Sequence, residues 1–100
     1  MKYIVGNMYE CTYDPDVHFV QLIVLPTLED ARKYYFTDGF FSTEFEELKC
    51  NDLVVFLEGP IEVQKNWGYA KVLTPSGFVG WLLVQDNDFR DINESDTLSK

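Results

Sequence analysis

Cysteine and histidine are scarce in this sequence: Cys11 and Cys50 are the two cysteines, and His18 is the single histidine. The cysteines lack the CxxC spacing of a zinc site, and two are too few for a disulfide framework. A serine or cysteine nucleophile needs a histidine base, and no nucleophile-elbow motif is present. Asp14, Asp16 and His18 form an Asp-x-Asp-x-His run, but neighbouring turn residues rarely converge on one ion. We therefore expect no enzyme activity, no metal site and no cofactor.

Basic residues are also few, since eight Lys and Arg against seventeen Asp and Glu leave a net charge of -9. A chain this acidic repels the phosphate backbone, which excludes direct nucleic-acid binding. An acidic surface instead attracts basic partners and speeds their association at low salt. The alternative is that the charge only keeps the protein soluble.

Long apolar runs are absent. Residues 22–26 form an apolar stretch far too short for a bilayer, and the first eleven residues lack the apolar region of a signal peptide. The sequence thus predicts a cytoplasmic protein that does not contact a membrane. Hydrophobic residues still make up 46% of the chain, which is enough for one compact core. We expect a single domain over residues 1–92 and a flexible acidic tail over residues 93–100.

Most of the chain is typical of short β-strands separated by turns. Residues 19–25 are apolar on both faces except at Gln21, which predicts a strand covered on both sides. Residues 67–73 alternate, with Trp67 and Tyr69 on one side, and the Pro-Ser-Gly turn that follows predicts an antiparallel return over residues 78–84. The strand that begins at residue 53 is predicted to reach residue 57, and residues 61–63 either extend this strand or re-enter it.

One helix is predicted, over about residues 27–36. Thr27 is a suitable N-cap, and Glu29 and Asp30 place negative charge in the first turn, where the helix dipole favours it. Helical spacing puts one apolar stripe on this helix, formed by Leu28, Ala31 and Tyr35.

Several of these segments resemble, in order and spacing, those of SH3-like domains. Residues 11–15 are similar to the Ala-Leu-Tyr-Asp-Tyr segment that opens an SH3 domain, and residues 47–55 resemble its diverging turn. Residues 67–70 are similar to its Trp-Trp-x-Ala strand, and residues 77–81 resemble its distal hairpin in the Gly-Trp form of bacterial SH3-like domains. The resemblance implies a mainly β fold, a small antiparallel SH3-like barrel. Residues 15–46 would then be an enlarged RT-loop insertion that carries the helix.

The resemblance also implies a peptide groove. A flat indole with an N–H donor at its rim holds extended peptides, and acidic neighbours select a basic partner. Leu83 departs from the peptide-binding pattern, because ligand-binding SH3 domains have a proline at that place. The alternative interpretation is that Trp67 closes one end of the barrel and has no role in ligand binding. The groove residues that the resemblance implies are Trp67, Tyr13, Asp14, Asp16 and Phe89.

Two functions are consistent with these patterns. The first is a non-catalytic protein-interaction or structural module that binds a protein partner or associates with itself. The second is an acidic inhibitor that imitates the phosphate array of DNA and blocks a basic nucleic-acid-binding surface. Aromatic residues in the insertion offer either a cover for the barrel or a self-association surface: Tyr34, Tyr35, Phe36, Phe40 and Phe41. Trp81, next to Gly80, is expected in the core or against the insertion.

Overall fold

The computed structural model describes residues 3–13, 22–36, 44–85 and 87–92. Within these ranges the chain is mainly β with one short helix, which confirms the predicted fold class. The elements in chain order are β1 (Met8–Cys11), β2 (Leu22–Val24), α1 (Leu28–Phe36), β3 (Glu46–Leu48), β4 (Leu53–Gln64), β5 (Trp67–Leu73), β6 (Val79–Gln85) and β7 (Phe89–Asp91).

A five-stranded antiparallel sheet in the order β6-β5-β4-β1-β7 forms the body of the molecule. Its most regular part is the β5–β6 hairpin, which stays in register from Trp67 opposite Gln85 to Leu73 opposite Val79. The connecting turn is closed by the Thr74 N–H, which donates to the Phe78 carbonyl at 2.9 Å. The hairpin predicted from the alternating pattern is therefore confirmed.

The sheet is open, so the prediction of a closed barrel is wrong. In the part of the chain that the structure describes, β6 and β7 are edge strands that do not pair with each other. The outer edge of β6 is taken instead by Leu25, which follows β2. The Leu25 N–H donates to the Trp81 carbonyl at 2.8 Å, and the Trp81 N–H donates back at 2.6 Å. Because this edge already has a partner at its centre, it is not available to close the sheet.

The main core lies between the inner face of this sheet and the β2–β3 pair. Tyr3, Tyr9 and Phe56 form its aromatic centre, with the rings of Tyr3 and Phe56 stacked at 4.8 Å between centroids. Cys11 also faces this core and has no exposed surface. Burial raises the pKa of the Cys11 thiol to about 11, so the thiol stays protonated and poorly nucleophilic at neutral pH.

Helix α1 covers part of the outer face of the sheet. The Asp30 N–H donates to Thr27 Oγ1 at 3.1 Å, which confirms the predicted N-cap. Ala31 is fully buried in a second cluster that includes Ile23, Leu25 and Tyr69. Leu22 and Val24 face the main core instead, so β2 is covered on both sides as predicted. None of the described helical residues form a helix long and apolar enough to cross a membrane.

Gly80 allows β2 to approach β6. A Cβ at this position would overlap the carbonyl oxygen of Leu25, so a larger residue would push the two strands apart. Trp81, the next residue, packs with the second cluster against Leu25 and the helix region. This placement confirms the expectation that Trp81 packs against the insertion.

Strand β4 is long and irregular, and it includes residues 61–63, which is one of the two predicted alternatives. It continues past Gly59 and reaches Gln64. Its register against β5 shifts along the way, so the strand passes through the Gly-Pro turn signal without ending there. Gly68 on β5 permits this close pairing, because an added Cβ would lie 2.5 Å from the Ile61 carbonyl oxygen. The end of the β4–β5 hairpin, residues 61–66, is exposed.

Candidate functional site

Trp67 is the first residue of β5 and lies where three strands meet. It is paired in register with Gln64 of β4 on one side and with Gln85 of β6 on the other. The indole Nε1–H donates to Gln64 Oε1 at 3.1 Å. The side chain is half-buried, so part of the indole remains accessible to a ligand while Gln64 orients it.

Tyr13 follows β1 after one intervening residue and packs, half-buried, against the main core. Burial raises the pKa of the Tyr13 hydroxyl, and the nearby negative charge of Asp88 raises it further. The hydroxyl therefore stays protonated over the physiological range and can donate a hydrogen bond.

The turn between β6 and β7 connects the surroundings of these two aromatic residues. Asp88 is 8% exposed, and its Oδ2 accepts the Gln85 N–H at 2.9 Å. The Asp88 carbonyl accepts the Thr12 N–H at 2.8 Å, one residue before Tyr13. Gln85 in turn lies opposite Trp67. Trp67 and Tyr13 thus each lie beside one end of the connection between Gln85 and Asp88, and we call this arrangement the turn site.

Phe89 supports the turn site from inside the core and does not line a groove. It is 6% exposed, with its ring 5.5 Å from that of Phe56 and 5.9 Å from that of Tyr3. Its N–H donates to the Tyr3 hydroxyl at 3.2 Å. The assignment of Phe89 to the ligand surface is corrected for a geometric reason. Phe89 lies opposite Cys11, and directly opposed residues of two antiparallel strands point to the same, here inner, face.

Asp14 and Asp16, the predicted acidic flank, lie outside the described residues, as do His18, Phe40 and Phe41. Tyr34 is described and packs against the second cluster. Within the described ranges, no three His, Cys, Asp or Glu side chains are grouped so that they could hold a metal ion.

The sequence reasoning missed the roles of Gln64 and Asp88. Asp88 falls in a polar stretch after an apolar strand, which is a signal for a turn-capping carboxylate. Gln64 has no comparable signal, because its contact with Trp67 depends on the irregular register of β4.

No protein-family model, no curated protein and no solved structure matches this chain. The geometry of the turn site indicates what it can bind. Two partly accessible aromatic side chains beside a hydrogen-bonded turn can stack on an extended peptide. The Tyr13 hydroxyl can also hydrogen-bond to the backbone of that peptide.

Proposed function

We propose that this protein is a non-catalytic interaction module with an SH3-like fold, and that it binds an extended segment of a basic protein partner at the turn site. The observation that carries the proposal is the position of Trp67 and Tyr13, half-buried on either side of the Gln85–Asp88 connection. The open antiparallel sheet is compatible with an SH3-like domain, and β5 begins at the Trp67 of the SH3-like motif.

The charge of the chain favours a basic partner. Its net charge of -9 attracts lysine and arginine over several ångströms and repels acidic chains. A cation that reaches the turn site would meet the face of the Trp67 indole, which stabilises a cation electrostatically. Recognition would thus combine stacking on the aromatic rings with long-range attraction.

The acidic-inhibitor function receives less support from the described residues. An imitation of DNA needs a continuous array of unpaired negative charges. Three carboxylates are instead ion-paired: Glu58 with Lys71 at 3.2 Å, Glu29 with Lys33 at 3.5 Å, and Glu10 with Arg90. These pairs interrupt the array, so binding through the turn site is the better-supported proposal.

The test is a pull-down from host extract at low salt and at about 0.5 M salt, where charge interactions beyond a few ångströms are screened. Partner proteins are identified by mass spectrometry, and their affinity is then measured by calorimetry. We expect binding to persist at high salt and to weaken at least tenfold in Trp67→Ala, because buried aromatic anchors dominate such interfaces.

Phe45→Ala is the matched control, since Phe45 is an aromatic residue that is 54% exposed and lies outside the turn site. This variant should bind as the wild type does. Equal affinity of Trp67→Ala and the wild type would overturn the proposal. If that result came with binding that disappears at high salt, it would support the acidic inhibitor instead.

A further inference from the structure

A second surface presents apolar side chains to solvent. Met8, Val55, Leu73 and Val79 lie opposite one another on four adjacent strands, all on the outer face of the sheet. Leu53 lies two residues before Val55 on the same face. We call these five residues the bare patch. Met8 is 39% exposed, and Leu53 and Val79 are each 43% exposed.

The bare patch borders a shallow groove of about 430 Å³. The groove runs along Met8, Leu53, Val55 and Leu73 and ends at Pro75 in the β5–β6 turn. This volume accommodates a few side chains of a ligand and not a whole domain.

A second copy of this chain is a poor occupant. A stable interface buries about 800 Å² and some 20 residues on each partner, which is far more than five side chains offer. Two copies would also each bring a net charge of -9 to the contact. Both the small size of the bare patch and the net charge of the chain therefore favour an occupant other than a second copy of this chain.

Another element of the same chain already packs on part of the outer face of this sheet. One half of that face, around Tyr69, Trp81 and Leu83, is covered by α1 through Leu28, Ala31 and Tyr34. The ion pair of Glu58 and Lys71 lies between the covered half and the bare patch, since Lys71 stands between Tyr69 and Leu73 on β5. The helix α1 is thus an example of a short helix packed on the apolar outer face of this sheet.

The charges around the groove indicate the sign of its ligand. Asp52 lines the groove, and Glu46 accepts a hydrogen bond from Ser76, next to Pro75. The surrounding stretch, residues 44–57, carries Glu44, Glu46, Glu47 and Asp52 against Lys49 alone. This rim attracts a helix whose flanks carry lysine or arginine and repels an acidic one.

From this combination we propose that the bare patch binds a short amphipathic helix of a partner protein, with apolar residues on one face and basic residues on its flanks. The occupant inserts apolar side chains between Met8 and Leu73 and directs its cations toward Asp52 and Glu46. None of the five residues of the bare patch belongs to the turn site, so variants at these residues test the two surfaces separately.

The experiment selects binders from a library of displayed random peptides of about 16 residues, which is enough for four helical turns. Selection is made on the wild-type protein, with counter-selection on the double variant Met8→Lys/Val79→Lys. The matched control is Ile61→Lys/Val63→Lys, at two apolar residues that are 45% and 47% exposed on the β4–β5 hairpin. Both variants add the same charge, so a difference between them reports on location.

We expect the enriched peptides to have apolar residues spaced by three and four positions and to carry net positive charge. They should bind at least tenfold more weakly to Met8→Lys/Val79→Lys and within twofold of wild type to the control. Their amide shift changes in NMR spectra should be centred on Met8, Val55 and Leu73. If the lysine pair prevents folding, Met8→Ala/Val79→Ala serves instead, with Ile61→Ala/Val63→Ala as its control and a severalfold loss expected.

Three results would overturn the proposal. Enriched peptides could lack helical spacing or positive charge, or could bind both lysine variants equally. The amide shift changes could lie around Tyr13 and Trp67, which would assign the ligand to the turn site. Sedimentation could show a dimer that Met8→Lys/Val79→Lys dissociates, which would make a second copy the occupant.

Discussion

The outer face of the five-stranded sheet has two halves of similar composition and different surroundings. In the covered half, Tyr69 is 2% exposed beneath the cluster that α1 and Leu25 complete. In the bare patch, Val79 is 43% exposed, although it belongs to the same strand as Trp81 and faces the same way. Hydrophobic side chains on a strand therefore show which face they occupy, but they do not show whether another element lies on that face.

The two halves also differ in what they contribute. Full burial of a leucine or valine side chain stabilises the folded state by about 1.5–3 kcal/mol, whereas an exposed one contributes a fraction of this. The covered half therefore stabilises the fold, and the bare patch leaves its apolar area free for binding.

The largest expected effect comes from comparing Leu25, which helps to cover one half of the outer face, with Leu53 of the bare patch. The Leu25 side chain is fully buried, and the Leu25 backbone is hydrogen-bonded to that of Trp81. Because Leu25→Ala removes buried apolar contacts, it should lower the free energy of unfolding by about 2–5 kcal/mol. Leu53 is 43% exposed, so Leu53→Ala should cost less than about 1 kcal/mol. Urea denaturation with unchanged m-values measures both. Equal losses would show that the two halves do not differ as described.

A smaller effect is expected from adding one methyl group between β2 and β6. Gly80→Ala places a Cβ against the Leu25 carbonyl and should destabilise the protein by roughly 1–3 kcal/mol. Amide hydrogen exchange at Leu25 and Trp81 should become faster, because the bridge between these residues opens. Val79→Ala, one residue away on the exposed side, is the control and should cost about 0.5 kcal/mol or less. Unchanged exchange in Gly80→Ala would refute the role of this glycine.

The smallest effect concerns the end of the covering helix. Thr27→Ala removes the acceptor of the Asp30 N–H and should cost about 1 kcal/mol. Because the contact lies in the first turn, amide exchange should increase in α1 more than in β5. Thr27→Ser keeps the hydroxyl and should retain most of the stability. A loss of protection spread evenly over the five-stranded sheet would mean that the helix does not unfold separately.

Local patterns made part of the fold predictable from sequence. The β5–β6 hairpin follows from the alternation of residues 67–73 and the Pro-Ser-Gly turn, which act over a few residues. The same holds for α1, since Thr27 and the two acidic residues after it define the helix start. These features depend on neighbours in the chain, so the sequence contains the information directly.

Features that depend on distant partners were harder to predict. The turn signal at Gly59 and Pro60 left open whether residues 61–63 extend the strand, and in the structure β4 continues through this signal with register shifts against β5. Phe89 was assigned to a groove, but its position opposite Cys11 turns it into the core. Of the predicted site, Trp67 and Tyr13 each lie beside one end of the β6–β7 connection, and this link depends on contacts between residues far apart in the chain.

The amino-acid sequence by itself determined the mainly β composition, the capped start of α1, the β5–β6 hairpin and the acidic charge. These follow from short-range backbone preferences and from simple counting. The tertiary structure decided that the sheet stays open, that α1 covers one half of its outer face, and that the bare patch stays exposed. The physical reason is that an apolar side chain is stabilised equally by any apolar surface that covers it, so only the packed arrangement selects which surface that is.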